Sequence, residues 1–315
     1  MNLNHHASRI SKPVTKAVRP ALRTAFWLVS IMLPVSFAAT LLQYTGVLDV
    51  LAFHLQPFFA WMGLRGEGAL VILTAAGMTL YSGIAVMQAI PFTMREITIM
   101  ALMMLVAHNL IVETAVQSKT GSRAVHMVLL RLAGAVACGL FLHAVLPPDD
   151  RIMVHGMTAG HLPLSTVLTN WLSGSLMLTL MIVCIVVSLR IFQELLTEYG
   201  IMQWSTRLMA PLMKPMGLPA TVSFPWIISY VIGLAYGSST LIEHRRSGEL
   251  PKRDSDLLNH HIAVSHSLVE DTLVFVALGV SVWWITLPRI ALATVVVWGK
   301  RAVDSWMKKR PATCN

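Results

Sequence analysis

The chain has 315 residues, of which 55% are hydrophobic and only 12% charged, and its net charge is +9. A soluble domain carries about 25% charged residues, so this composition, with a mean hydropathy of +0.66, excludes an ordinary soluble enzyme or binding module. Cys138, Cys184 and Cys314 have no CxxC spacing, which indicates neither a disulfide framework nor a structural zinc site.

In chain order, residues 1–21 form a basic tail with Arg9, Lys12, Lys16 and Arg19. It is too long and too basic for a removed signal peptide and reads as a cytoplasmic anchor rather than a nucleic-acid tail. Apolar runs of the roughly 20 residues needed to cross a bilayer follow at 22–43, 67–90, 97–117, 124–146, 172–195, 219–243, 257–279 and 281–300. Eight such segments predict an all-α integral membrane protein. Residues 147–170, with Asp149 and Asp150, read as an extracytoplasmic linker between a first unit at 22–146 and a second at 171–303. The closing tail, 304–315, carries Lys308, Lys309 and Arg310. Both termini are therefore placed in the cytoplasm.

The two units repeat one another. His108-Asn-Leu-Ile-Val-Glu113-Thr114 returns as His266-Ser-Leu-Val-Glu270-Asp271-Thr272, so that His108, Leu110, the acid Glu113 and Thr114 recur 158 residues later. Arg131 recurs as Arg289 at the same offset. Upstream, Gly46, Pro57, Gly63, Leu64 and Gly83 recur as Gly200, Pro211, Gly217, Leu218 and Gly237 at an offset of 154. Lys119 and Arg123 place one hairpin loop inside, whereas the equivalent loop near Val280 falls outside. The repeats are thus expected to be inverted, with broken or re-entrant helices, as in many secondary transporters.

Ionisable groups inside apolar runs are costly and mark function by default. Glu113 and Arg131, like Asp271 and Arg289, lie equally far from a turn, which predicts two ion pairs, Glu113 with Arg131 and Asp271 with Arg289. These pairs lock each hairpin, orient carboxylates toward a solute, or do both. Tyr81, Ser82 and Gly83, with Tyr236, Gly237, Ser238 and Ser239, suggest hairpin tips offering hydroxyls and free backbone groups; close packing by small residues is the plainer alternative. His266 and Glu270 stand at i, i+4 on one helical face and could hold a metal or relay a proton. Val112 stands opposite Glu270 in the first unit, so iron(II), zinc(II) and manganese(II) are expected to find too few ligands and to bind weakly. No nucleotide-binding motif is present, and no nucleophile–base pair suggests an enzyme.

The segment Gly233 to Glu243, the basic loop with Gly248, and His266 to Gly279 resemble the nucleoside-recognition, or Gate, membrane proteins. That group includes spore maturation proteins A and B, and its motif is related to the Gate repeats of ferrous-iron transport protein B and, more distantly, to concentrative nucleoside transporters. The resemblance implies a bacterial inner-membrane protein with broken helices around a central site, and no particular substrate. The cysteine that the resemblance would place near a hairpin tip for iron transport is absent.

The expectation is therefore a multi-pass permease for a small polar solute, anionic or nucleoside-like, bound at midplane between the units. The candidate binding residues are Tyr81, Ser82, Gly83, His108, Asn109, Glu113, Thr114, Tyr236, Gly237, Ser238, Ser239, His266, Ser267, Glu270, Asp271 and Thr272. No cofactor is expected beyond a coupling H+ or Na+, with Glu270 the candidate coupling group. Partners are the solute and membrane lipid, with homo-oligomerisation left open and no nucleic acid. The rivals are a divalent-metal permease using His266, Glu270 and Asp271, and a non-transporting partner in a spore-maturation-like assembly.

Overall fold

The computed structural model describes residues 3–152, 163–231, 233, 241–248 and 250–309. Among them, regular structure is helical apart from one isolated bridge between Thr93 and Ile152. The first unit comprises α1 (Leu3–Tyr44), α2 (Val47–Phe59), α3 (Gly66–Gly77), α4 (Leu80–Ala89), α5 (Met94–Ala107), α6 (Leu110–Lys119) and α7 (Ala124–Val145). The second comprises α8 (Leu164–Glu198), α9 (Ile201–Met213), α10 (Ser223–Val231), α11 (Lys252–Ser265), α12 (Glu270–Ala277) and α13 (Val282–Lys309).

The recurring glycines mark the turns. Gly46 and Gly200, which open α2 and α9, sit at φ 75° and 65°, and Gly63 and Gly217 sit at φ 68° and 75°. Only glycine adopts this left-handed region without steric penalty. Each long first helix therefore stops at the same place in its unit and turns into a short helix carrying a proline, Pro57 or Pro211.

Among the described residues, five helical stretches are long and apolar enough to cross a membrane, or six if a pair bent by 89° at residues 62–66 counts as one. The count falls short of the eight apolar segments because 67–90 and 257–279 are broken and part of 219–243 lies outside the described residues. Residues 67–90 divide into α3 and α4, of 12 and 10 residues, each shorter than the roughly 20 residues of a span. They fold back on each other, since a Cβ added at Gly83 would lie 2.6 Å from Ala75 and 3.1 Å from the Val71 carbonyl.

Helices α1 and α8 pack along their lengths. Phe37 meets Trp171 at one end with ring centroids 4.9 Å apart, and Lys16 pairs with Glu194 at the other at 3.0 Å. The two therefore run antiparallel. They are equivalent elements of the two units, and equivalent helices running antiparallel side by side are related by an axis across them. The repeats are inverted.

At the centre stands α5, buried at every residue except Arg95, and beside it α11, buried from Leu257 to Ser265. A capping box of Thr93 and Glu96 starts α5, satisfying donors that a helix start leaves open. Large apolar side chains such as Phe26, Phe53, Trp61 and Leu176 point outward. In water they would form an aggregating surface; in a bilayer they meet lipid.

Candidate functional site

Both central helices break at the repeated histidine. α5 ends at His108 with extended backbone (φ −79°, ψ 162°), and Asn109 then takes the left-handed conformation (φ 48°, ψ 40°) before α6 begins. α11 ends in the same way at His266 (φ −64°, ψ 169°), followed by Ser267 at φ 48°. These are the only non-glycine residues with positive φ among those described. Such a conformation costs about 1–3 kcal/mol and persists only where the surroundings hold it. Here the hold is a borrowed carbonyl. Asn109 N–H donates to Ala75 O at 2.8 Å, and Ser267 N–H to Ser229 O at 2.9 Å. The acceptors are again equivalent residues, 154 apart.

A break also strands carbonyls at the end of the first half-helix, and inside a membrane these must find protein donors. The buried arginines supply them. Arg131 donates from Nε to Val106 O at 2.9 Å and from Nη2 to His108 O at 2.7 Å. Arg289 Nη2 donates to His266 O, and its Nη1 to Thr272 Oγ1 at 3.4 Å. Each arginine is thus a C-cap brought in from the neighbouring helix.

The two expected ion pairs fare differently. Arg131 Nη1 lies 2.7 Å from Glu113 Oε2. Asp271 and Arg289 form no ion pair within 4 Å, because Arg289 turns to the carbonyl and hydroxyl just named and Asp271 Oδ2 turns toward His108 Nε2, 3.6 Å away. The acids also reach across the repeats. Glu113 lies 3.2 Å from His108 Nε2 through Oε1 and 3.2 Å from His266 Nε2 through Oε2. The imidazole centroids are 5.1 Å apart. Both rings are held from behind, with Nδ1 2.9 Å from the carbonyl one turn earlier, Met104 O or Ile262 O.

The shared helical face of His266 and Glu270 does not form, since the break at Ser267 interrupts the turn between them. His266 instead belongs with His108 and Glu113, whose ligand atoms all lie within 4.8 Å of one another. Glu270 is not part of that group, although it lines the same cavity of about 390 Å³.

That cavity lies between α1, α8 and the two breaks. Tyr81, His108, Asn109, Glu113, His266, Ser267, Glu270 and Asp271 line it. Thr114 and Thr272 are buried but do not line it, and Thr272 serves Arg289. Ser82 is fully buried and engaged with Thr79. Gly83 is no hairpin tip: it lies within α4, against Ala75 and Met104. The turn comes four residues earlier, at Met78 and Thr79, where the Thr79 side chain caps α4. Gly233 is the counterpart of Thr79 at an offset of 154, has φ 95°, and also lines the cavity. Tyr236, Gly237, Ser238 and Ser239 lie outside the described residues.

Sequence reasoning missed the opposite wall, formed by Thr24 and Trp27 of α1 and Arg190 and Gln193 of α8. Arg190 carried a signal, an ionisable side chain inside an apolar run. Its Nη2 lies 3.5 Å from Glu194.

The family pattern named Gate and described as nucleoside recognition matches residues 25–121 and 177–298. The chain belongs to the Gate family. Each matched interval of this Gate protein contains one of the two breaks at a repeated histidine, and together they cover most of the cavity wall. Arg289 falls inside the second interval, whereas Arg131 lies beyond the first. Over 298 residues the Gate protein is 28% identical to the uncharacterized membrane protein YvoD of Bacillus subtilis (strain 168), spanning 92% of this chain and 94% of that one. No solved structure matches it.

Proposed function

We propose that this Gate protein is a secondary transporter of the bacterial inner membrane, with both termini cytoplasmic, and that its solute is a small polar molecule. One observation carries the reading: two symmetry-related helix breaks converge on a cavity of about 390 Å³, within the roughly 300–1,000 Å³ range of small-molecule sites. Broken helices at the interface of inverted repeats are where transporters bind cargo. The wall is mostly apolar, with Arg190, Gln193, Tyr81, Asn109, Ser267 and Glu270 as polar points. Arg190 gives it a cation for an anionic group, and the hydroxyls and amides suit hydrogen bonding.

The test is uptake by proteoliposomes containing the purified protein. Radiolabelled uridine and adenosine come first, given the family description, followed by small carboxylates, each with and without a proton or sodium gradient. Tyr81 Oη is buried and without a hydrogen-bond partner, so Tyr81→Phe is expected to preserve folding and weaken uptake. A panel showing no uptake above empty liposomes under any gradient would remove support from the transport reading and favour a non-transporting membrane partner.

A further inference from the structure

The cluster of His108, His266, Glu113 and Asp271 poses a problem that the solute reading does not solve. All four side chains are at least nine-tenths buried: His266 is 1% exposed, Glu113 5%, and His108 and Asp271 6%. In each histidine Nδ1 faces a backbone carbonyl, which accepts only, so Nδ1 carries the proton. A neutral ring then presents the Nε2 lone pair. That lone pair faces a carboxylate in both rings, so acceptor meets acceptor. His266 Nε2 and Asp271 Oδ2 lack a hydrogen-bond partner, whereas Glu113 Oε2 has Arg131 Nη1 2.7 Å away. Buried acceptors in this arrangement need something positive between them.

We infer that His108 Nε2, His266 Nε2, Glu113 and Asp271 form a binding site for a first-row divalent transition cation at the foot of the cavity. The spacing fits. Ligands about 2.0–2.2 Å from a tetrahedral ion stand roughly 3.4 Å apart; Glu113 meets His108 Nε2 through Oε1 and His266 Nε2 through Oε2 at 3.2 Å each, Asp271 lies 3.6 Å from His108 Nε2, and one ligand atom from each of His108, His266 and Glu113 falls within 4.8 Å of the others. Imidazole and carboxylate together suit zinc, iron, cobalt or manganese rather than magnesium or calcium. Backbone bonds that fix the ring tautomer and aim Nε2 are the supports that metal-binding histidines use. Ligand number, the objection raised by spacing along one helix, disappears once both repeats contribute.

Charge connects this site to the cavity. Glu113, Glu194, Glu270 and Asp271 are matched in number by Lys16, Arg131, Arg190 and Arg289, so a divalent cation brings excess positive charge. An anionic solute beside it would balance that excess. This last link rests on the transport reading; the metal site itself stands on the cluster's geometry.

The experiment uses full-length protein in detergent, stripped with chelator and exchanged into chloride buffer. Zinc(II) is titrated by calorimetry, and cobalt(II) is followed by its visible absorption, with no solute present. The expected result is one equivalent per chain, with cobalt bands of a low-symmetry nitrogen–oxygen site. His108→Ala and His266→Ala should each weaken binding by at least about 100-fold, more than removal of a ligand's hydrogen-bond partner alone. His54→Ala, at an exposed histidine outside both the ligand set and the cavity, should bind as wild type does. Absence of stoichiometric zinc and cobalt binding to monodisperse wild-type protein overturns the inference and leaves a proton as the bridging charge. So does binding that persists in the double His108→Ala, His266→Ala variant. Because wild type alone can refute it, misfolding of a variant does not protect the proposal. Metal binding in detergent and solute uptake in liposomes can fail separately.

Discussion

Replacing Arg131 by methionine tests the claim that this arginine caps a broken helix. Arg131 is fully buried, and its guanidinium serves Val106 O at 2.9 Å, His108 O at 2.7 Å and Glu113 Oε2 at 2.7 Å. Methionine keeps much of the stem and removes all three interactions. Stranding one member of a buried ion pair costs about 3–5 kcal/mol, and leaving buried carbonyls without donors costs about 1–3 kcal/mol. Even with overlap the loss is roughly 5 kcal/mol, comparable with the whole stability of a marginal fold, about 5–15 kcal/mol. Arg131→Met should therefore lose most of its folded yield in fluorescence-detected size exclusion. Adding Glu113→Gln removes the stranded charge and should recover about 3 kcal/mol, while the carbonyls stay open. The second repeat should behave differently. Arg289→Met also loses its caps, yet Asp271→Asn should not rescue it, because that ion pair is not closed; the coupling in a double-mutant cycle should stay below about 1 kcal/mol. Equal rescue in both repeats would refute the asymmetry. A wild-type melting temperature for Arg131→Met would refute the capping role altogether.

Three further outcomes are expected. Gly83→Val should lower the melting temperature strongly, since even a Cβ there would lie 2.6 Å from Ala75 and 2.8 Å from Met104 Sδ; Gly77→Ala, with nothing within 4 Å, should be tolerated, and similar midpoints for the two would show that α3 and α4 are not packed closely. Ser267→Gly should raise the melting temperature, because it relieves a left-handed backbone worth about 1 kcal/mol and keeps the N–H bonded to Ser229 O; no gain would mean that the break is not strained. In a background without Cys138, Cys184 and Cys314, Arg123→Cys and Ser281→Cys, near equivalent hairpin turns, should be labelled from opposite faces of intact cells by an impermeant maleimide, and labelling of both from one side would contradict the inverted arrangement.

Much of this fold was legible in the chain because membranes restrict local choices. Long apolar runs must be helical to satisfy their backbone, and the repeated Gly46/Gly200 and Gly63/Gly217 mark turns that only glycine makes easily. The repeat of His108 with Asn109 and His266 with Ser267 marked the two breaks, although their nature was not evident: a left-handed Asn or Ser depends on carbonyls lent by Ala75 and Ser229, some 35 residues away in sequence. Gly83 illustrates the opposite error. Its recurrence as Gly237 suggested a tip, but a glycine can recur for close packing as readily as for a turn, and only the neighbours Ala75 and Met104 distinguish the two. The arginines were recognisable as intramembrane charges, but whether each would meet an acid or a carbonyl depended on side-chain directions, and the two repeats chose differently. The site shows the same limit most sharply. Spacing along one helix joined His266 to Glu270, a face that the break at Ser267 abolishes. What the chain determined by itself was a doubled set of helices, turns and buried charges, because these follow from local backbone chemistry and the cost of charge in an apolar run. That His108, His266 and Glu113 meet, with Arg190 across the cavity, was decided only by the packing of one inverted repeat against the other, since no local rule encodes contacts made across that axis.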